Sequence, residues 1–142
     1  MTRIWTVGYE GHSPESLTLR LRAAGIERLV DIRELPLSRK PGFSKRALAL
    51  GLAAAGIEYS HLRALGTPRD IRHAYKATHD HDAFRRDYLR HVEANAAAVD
   101  ELEAVARAER VALLCVEKDP RHCHRTLLGE VLAARGWQVE EL

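Results

Sequence analysis

Val111-Ala112-Leu113-Leu114-Cys115-Val116 is an unbroken apolar run that shows none of the alternation of a strand with one face in water. A strand of this composition is buried on both faces, as happens inside a parallel sheet covered by helices on both sides. Parallel neighbours cannot be joined by tight hairpins, so such a strand requires long crossovers, usually helical, elsewhere in the chain.

The crossovers are readable. Ile4 to Gly8 is a short β-rich stretch, followed by Gly8-Tyr9-Glu10-Gly11-His12 and then Ser13-Pro14-Glu15, an N-cap with Pro at the first helical position. The helix carries Leu17, Leu21 and Ala24 on one face and stops at Gly25, and a second strand is expected from about Arg28 to Ile32. Ser44 is placed to cap a helix with Leu48, Leu52 and Ala55 on its buried stripe, ended by Gly56 before a strand over Ile57 to Leu62. Ala-Ala-Gly-Ile-Glu occurs at 23–27 and again at 54–58, and Ala133-Ala134-Arg135-Gly136-Trp137 leads into a last strand over Gln138 to Leu142; these are repeated helix-to-strand connections. From about Asp80 to Arg107 one long helical pattern places Phe84, Tyr88, Val92, Val99, Leu102 and Ala106 on one face, and a final helix over about His122 to Ala134 buries Leu127, Val131 and Leu132. Arg63 to His79 has no readable period. Its Gly66-Thr67-Pro68 turn and mixture of Arg, His and Asp suit a substrate-facing loop with one short helix. The expected architecture is a single α/β domain over residues 1–142, with a mainly parallel sheet and helices on both faces in a Rossmann-like three-layer arrangement.

The 142 residues can bury roughly two-thirds of the unfolded surface without covalent staples. Lys and Arg number 22 against 20 Asp and Glu, a balance that gives no strong sign of a nucleic-acid or membrane surface. Two cysteines are no secreted disulfide framework, no apolar run approaches the roughly 20 residues of a membrane span, and the first residues read as a strand rather than a signal peptide. A cytoplasmic location without membrane contact is expected.

In an open parallel sheet ligands bind beyond the carboxyl ends of the strands, and that is where the polar residues fall. The first strand delivers Gly8, Tyr9 and His12, the second Asp31 and Arg33, the third His61 and Arg63, the fourth Cys115 and Glu117. Beyond the fourth lies Lys118-Asp119-Pro120-Arg121-His122-Cys123-His124-Arg125, a turn into a helix start whose free N–H groups suit an anion or an activated thiol. Three chemical readings stand side by side. Cys115 and Arg121 have the Cys-x5-Arg spacing of a loop that wraps a phosphate or sulfur group under a thiolate, although Glu117 and Asp119 would repel an anion there and the loop has no glycine. Cys115, Cys123, His124 and His122 are zinc-ligand types, although adjacent helical Cys123 and His124 point apart. In the third, Asp31, Glu117 and a histidine act as acid, base or orienting groups while Arg33, Arg125 and the helix start hold an anionic substrate. Its structural counterpart makes Asp31–Arg33 and Glu117–Arg125 ion pairs at a sheet edge and Cys115 a small buried hydrophobe.

The loop from Arg33 to Lys45 adds Ser38, Arg39, Lys40 and Phe43. It can grip a phosphate and stack Phe43 on a ring, or serve as a solvated connector with Phe43 tucked into the core.

Taken together, Thr6-Val7-Gly8-Tyr9-Glu10-Gly11, Leu29-Val30-Asp31-Ile32-Arg33 with Pro36, Ser38 and Arg39, Gly56-Ile57-Glu58-Tyr59 with His61-Leu62 and Leu65-Gly66, and Leu113-Leu114-Cys115-Val116-Glu117 with Pro120 and Cys123-His124-Arg125 resemble the family called domain of unknown function 488. Members often carry Gly-His-Ser after the first strand, where this chain has Gly8-Tyr9-Glu10-Gly11-His12-Ser13. The resemblance implies an α/β fold and a site built from Gly8, Asp31, Arg33, Ser38, Arg39, Cys115, Glu117, Cys123, His124 and Arg125, and it implies no reaction.

The expectation is a polar strand-end pocket for a phosphorylated or nucleotide-like small molecule, with hydrolysis or group transfer as its chemistry. Asp31, Glu117, Cys115, Cys123 and His124 are the catalytic candidates. Gly8, Tyr9, His12, Arg33, Ser38, Arg39 and Arg125 are the substrate-binding ones. No cofactor or metal is demanded. The alternative is a non-catalytic module that binds nucleic acid or a protein through the basic Arg33–Lys45 loop.

Overall fold

The computed structural model describes residues 2–116 and 124–142. Strands β1 (Arg3–Gly8), β2 (Arg28–Asp31), β3 (Glu58–His61), β4 (Val111–Cys115) and β5 (Gln138–Glu141) form a sheet in the order β3-β2-β4-β1-β5, parallel throughout. Between them lie α1 (Pro14–Ala23), α2 (Lys45–Ala54), a 3-10 turn (Arg63–Leu65), α3 (Arg69–Thr78), α4 (His81–Ala94), α5 (Ala96–Ala108) and α6 (His124–Ala134). The apolar run that demanded a two-faced strand is β4, the middle strand, and all five of its residues are fully buried.

Alternation along the strands sorts the core into two layers. Trp5, Val7, Leu29, Ala112 and Leu114 face Leu17 and Leu21 of α1 and Leu48 and Leu52 of α2. Ile4, Val30, Val111, Leu113 and Cys115 face Tyr88 and Val92 of α4, Leu102 of α5 and Leu128 and Leu132 of α6. Right-handed crossovers produce this division: the chain moves toward one sheet edge from β1 to β2 and β3, then back from β3 to β4 and β5, so early and late helices land on opposite faces.

Local signals explain most boundaries. Ser13 caps α1 by accepting from the Ser16 backbone at 3.0 Å while Ser16 Oγ accepts from the Ser13 backbone at 2.9 Å. Ser44 occupies the position before α2 but does not cap it; its hydroxyl is engaged by Ser38, accepting from the backbone N–H at 3.0 Å and donating to the carbonyl at 3.2 Å. The long helical pattern over Asp80 to Arg107 is two helices, broken at Asn95, whose side-chain amide donates to the His91 carbonyl at 2.8 Å. The apolar stripe reads as continuous because α4 and α5 press on the same face of the sheet.

Glu103 of α5 fastens the late layer. Its carboxylate, in a residue only 6% exposed, accepts from the Trp137 indole at 2.8 Å, from Arg107 at 3.2 Å and from Arg135. The Trp137 hydrogen bond and the two guanidiniums hold its pKa below the ordinary carboxylate range, so its contribution is complete at neutral pH and is lost as pH falls through that depressed value. Glu103→Ala leaves the buried indole N–H unpaired and is expected to cost about 2–4 kcal/mol in urea unfolding at pH 7. The difference from the parent should narrow in acid.

Candidate functional site

The chain leaves β1 and β2 toward one face and β4 toward the other, so the chain leaving β4 diverges from the loops of both its neighbours. A crevice opens at such a point. Register brings Gly8 opposite Cys115, and Asp31 opposite both Leu114 and His61, at one level of the sheet.

Asp31 is fully buried and its oxygens are crowded with donors. Arg33 Nε donates to Oδ1 at 2.9 Å, Nη2 to Oδ2 at 2.6 Å, and the Arg33 backbone N–H to Oδ1 at 3.0 Å. The Tyr59 hydroxyl donates to Oδ2 at 2.5 Å; burial and this bond push its pKa well above the ordinary phenol value, which keeps it a donor. The remaining arm of Arg33 donates to the Phe43 carbonyl at 2.8 Å, and its guanidinium lies 5.4 Å from the centre of the Tyr9 ring. Tyr9 stacks on Phe43 with ring centres 4.5 Å apart. Phe43 is therefore core, and Asp31–Arg33 is a buried ion pair that ties the loop after β2 to the sheet.

A second polar knot lies under β1, β4 and β5. Arg125 at the start of α6 is fully buried; its guanidinium donates to Glu141 at 3.0 Å and to Cys115 Sγ at 3.1 Å, and Thr6 donates to the same Glu141 carboxylate at 2.5 Å. Cys115 is not a free thiol. These groups hold α6 against the sheet.

Toward solvent lies a cleft of about 560 Å³, within the range of small-molecule sites. Its floor is Arg33, Glu34 and Leu35 after β2, Val116 after β4, and His124 of α6; its outer wall is Thr67, then Arg72, His73, Tyr75, Lys76 and His79 of and just beyond α3, with Phe84 of α4. The wall is brought in by the 3-10 turn, which α4 grips: Tyr88 donates to the Leu65 carbonyl at 2.7 Å and His91 to the Ala64 carbonyl at 2.7 Å. Gly66 then passes so close to the loop after β2 that an added Cβ would lie 2.3 Å from Glu34 N and 2.6 Å from its Cα. Thr67, next in sequence, is 3% exposed, and its hydroxyl has no hydrogen-bond partner among the described residues, a state that costs about 1–3 kcal/mol unless something relieves it. Among the described residues Glu34 is the only carboxylate in the lining, and it pairs with Arg72 at 3.3 Å.

His124 links floor and core. Its Nε2 carries the ring proton, because it donates to the Ile32 carbonyl at 2.8 Å. Burial, helped by the Arg125 charge, lowers its pKa to about 4. The imidazole is accordingly neutral at pH 7 and is no proton donor in the sense of a charged acid.

Of the residues singled out by sequence, Gly8, Tyr9, Asp31, Arg33, Cys115, His124 and Arg125 converge on the strand ends, and Arg33 and His124 also line the cleft. Ser38 organises its own loop, its Oγ accepting from the Lys40 backbone at 3.1 Å, and Arg39 is exposed outside the lining. His12 Nδ1 is 2.9 Å from Ser16 Oγ at the start of α1, also away from the cleft. Glu117, Cys123, Arg121 and His122 lie outside the described residues, so the Cys-x5-Arg, zinc and Glu117–Arg125 readings fall there. Sequence reasoning missed Thr67, Arg72, His73, Tyr75, Lys76 and Phe84. For all but Phe84, which was read as part of an apolar helix face, the signal was the polar, aperiodic Arg63–His79 stretch, which holds the short helix expected there and lines the cleft.

Asp31→Ala strands the Arg33 guanidinium in the interior and is expected to cost about 3–5 kcal/mol in denaturant unfolding. For His124 the sign runs toward acid: an unfolded-state pKa near 6.5 above a folded-state value of about 4 means the unfolded chain takes up a proton that the folded chain refuses. Stability should fall between these two pH values by at most about 3 kcal/mol. His124→Gln, which retains a donor for the Ile32 carbonyl, should flatten that slope in urea titrations at pH 7 and pH 5.

Among the described residues no group of three or more His, Cys, Asp or Glu is arranged to hold a metal ion, and no helix is long and apolar enough to cross a membrane. Neither the curated proteins nor the solved structures contain a match to this chain. The family profile described as a domain of unknown function, DUF488, matches residues 13–132, from the cap of α1 to the last turn of α6. The chain that builds this cleft is thus a member of the DUF488 family.

Proposed function

We propose that the protein binds a phosphorylated or nucleotide-like small molecule in the strand-end cleft and that hydrolysis or transfer of a group from that molecule is its activity. The reading is supported by the charge of the described lining: Arg33, Arg72 and Lys76, with the imidazoles of His73, His79 and His124, stand against a single carboxylate among the described residues, Glu34. Asp31 neutralises Arg33 from behind, and Glu34 engages Arg72 through a single 3.3 Å contact whose Arg72 side is partly exposed. Lys76 is exposed and Arg72 partly so, while Arg33 is buried and held by Asp31 and the Phe43 carbonyl. A bidentate Arg–phosphate contact gives orientation as well as attraction.

Chemistry, on this reading, belongs at the junction of floor and wall. A neutral imidazole such as His124 suits a hydrogen-bonding or base role there, and Glu117 and Cys123 remain proposals for the groups that complete it. The nucleic-acid alternative rested on the Arg33–Lys45 loop, from which Arg33 and Phe43 are withdrawn into the core, leaving Arg39, Lys40 and Lys45.

The test is a thermal-shift titration with inorganic pyrophosphate at low salt. At one hundred times Kd a bound ligand adds about 2.7 kcal/mol to stability. Arg72→Ala combined with Lys76→Ala should abolish the shift and leave the unliganded Tm nearly unchanged, since both side chains are outside the core. An unaltered shift in that double variant would sink the reading. If instead binding of single-stranded nucleic acid, steep in salt, vanishes with Arg39→Ala and Lys40→Ala, the loop alternative takes its place.

A further inference from the structure

The cleft is chemically different along its length. Near the start of α3 stand the unpartnered Thr67 hydroxyl and Arg72. Three residues beyond Arg72, or about 4.5 Å along the axis at 1.5 Å per residue, the lining becomes aromatic: Tyr75 and Phe84 meet with ring centres 4.8 Å apart, both only partly buried. Phe84 in turn lies 6.3 Å from Tyr88 at an interplanar angle of 9°, so its orientation is set by the core. Tyr75 and Phe84 therefore present ring surface to the same space that the cations line.

Resting on the anion-binding reading above, we propose that the ligand is a nucleoside phosphate, with its phosphate at the Thr67–Arg72 end and its base laid against Tyr75 and Phe84. A sugar phosphate or a free phosphate would leave the aromatic wall wet. A base has the flat face that such a wall accepts, and stacking tolerates any base. Thr67 adds the second independent sign. Its hydroxyl is buried in a residue that lines the cleft and has no partner among the described residues. Because that hydroxyl is unsatisfied without a ligand, removing it should damage binding and not folding.

The experiment is isothermal titration calorimetry of the whole chain with pyrophosphate and with ADP, GDP, CDP and UDP. At least one nucleoside diphosphate is expected to bind about tenfold or more tighter than pyrophosphate, in keeping with the worth of one stacked base. Phe84→Leu should erase that margin while leaving pyrophosphate affinity in place, and Tyr75→Leu should reduce the margin in the same direction, so that a folding defect in one variant leaves the other as the test. Thr67→Val should weaken pyrophosphate and nucleotide alike by roughly tenfold, with an unliganded Tm equal to or above that of the parent. Pyrophosphate binding as tightly as every nucleotide, or a margin that survives both aromatic substitutions, overturns the base site and leaves the anion reading standing. Absence of binding by all five overturns both.

Discussion

A carboxylate at the end of an inner strand cannot stay charged in a dry interior without donors around it, and Asp31 is surrounded by them. Two residues on, the same chain segment returns Arg33 to it in a forked contact, Tyr59 reaches it from β3, and the other arm of Arg33 holds the Phe43 carbonyl. The loop after β2 is thereby fixed in direction before any solvent-facing side chain is considered. Glu34 and Leu35, which Arg33 carries with it, become one side of the cleft. Such a pair contributes placement more than net stability, since its attraction is offset by the desolvation of both ions.

Polar groups at the strand ends thus form two layers with different duties. The inner layer, Asp31 with Arg33 and Arg125 with Glu141 and Cys115, keeps β2, β4, β5 and α6 in register. The outer layer, on α3 and the turn before it, is turned toward the open space. His124 belongs to both, bonded inward to the Ile32 carbonyl and bordering the cleft. Alanine replacements in the inner layer will report chiefly on folding, whereas the outer layer can be altered while the sheet stands.

The sheet was legible because its signals are local and strong. β4 is a continuous apolar run, α1 has its Ser13-Pro14 start, and Gly25 and Gly56 close α1 and α2 with φ of 70° and 78°. The strand-end position of Asp31, Arg33, Cys115 and Arg125 followed from topology alone. What topology does not carry is the direction in which a side chain is satisfied: Arg125 sits at the start of a helix near a strand edge, yet its partner Glu141 comes from the far end of the chain, 16 residues away. Ser44 has the right type and place for a cap and bonds Ser38 instead. The break at Asn95 is invisible to periodicity because α4 and α5 share one buried face. The wall of the cleft was hidden for a related reason, since α3 has no buried residue from which a period could be read.

That last property separates two pressures that most enzymes and binding proteins must reconcile. A helix whose side chains take no part in the core can change composition without repacking anything beneath it, and its anchoring falls to the neighbouring turn, where the carbonyls of Ala64 and Leu65 are held from α4 and Gly66 abuts the loop after β2. The residues that α3 contributes to the cleft can therefore be exchanged one by one at little cost to the scaffold that presents them.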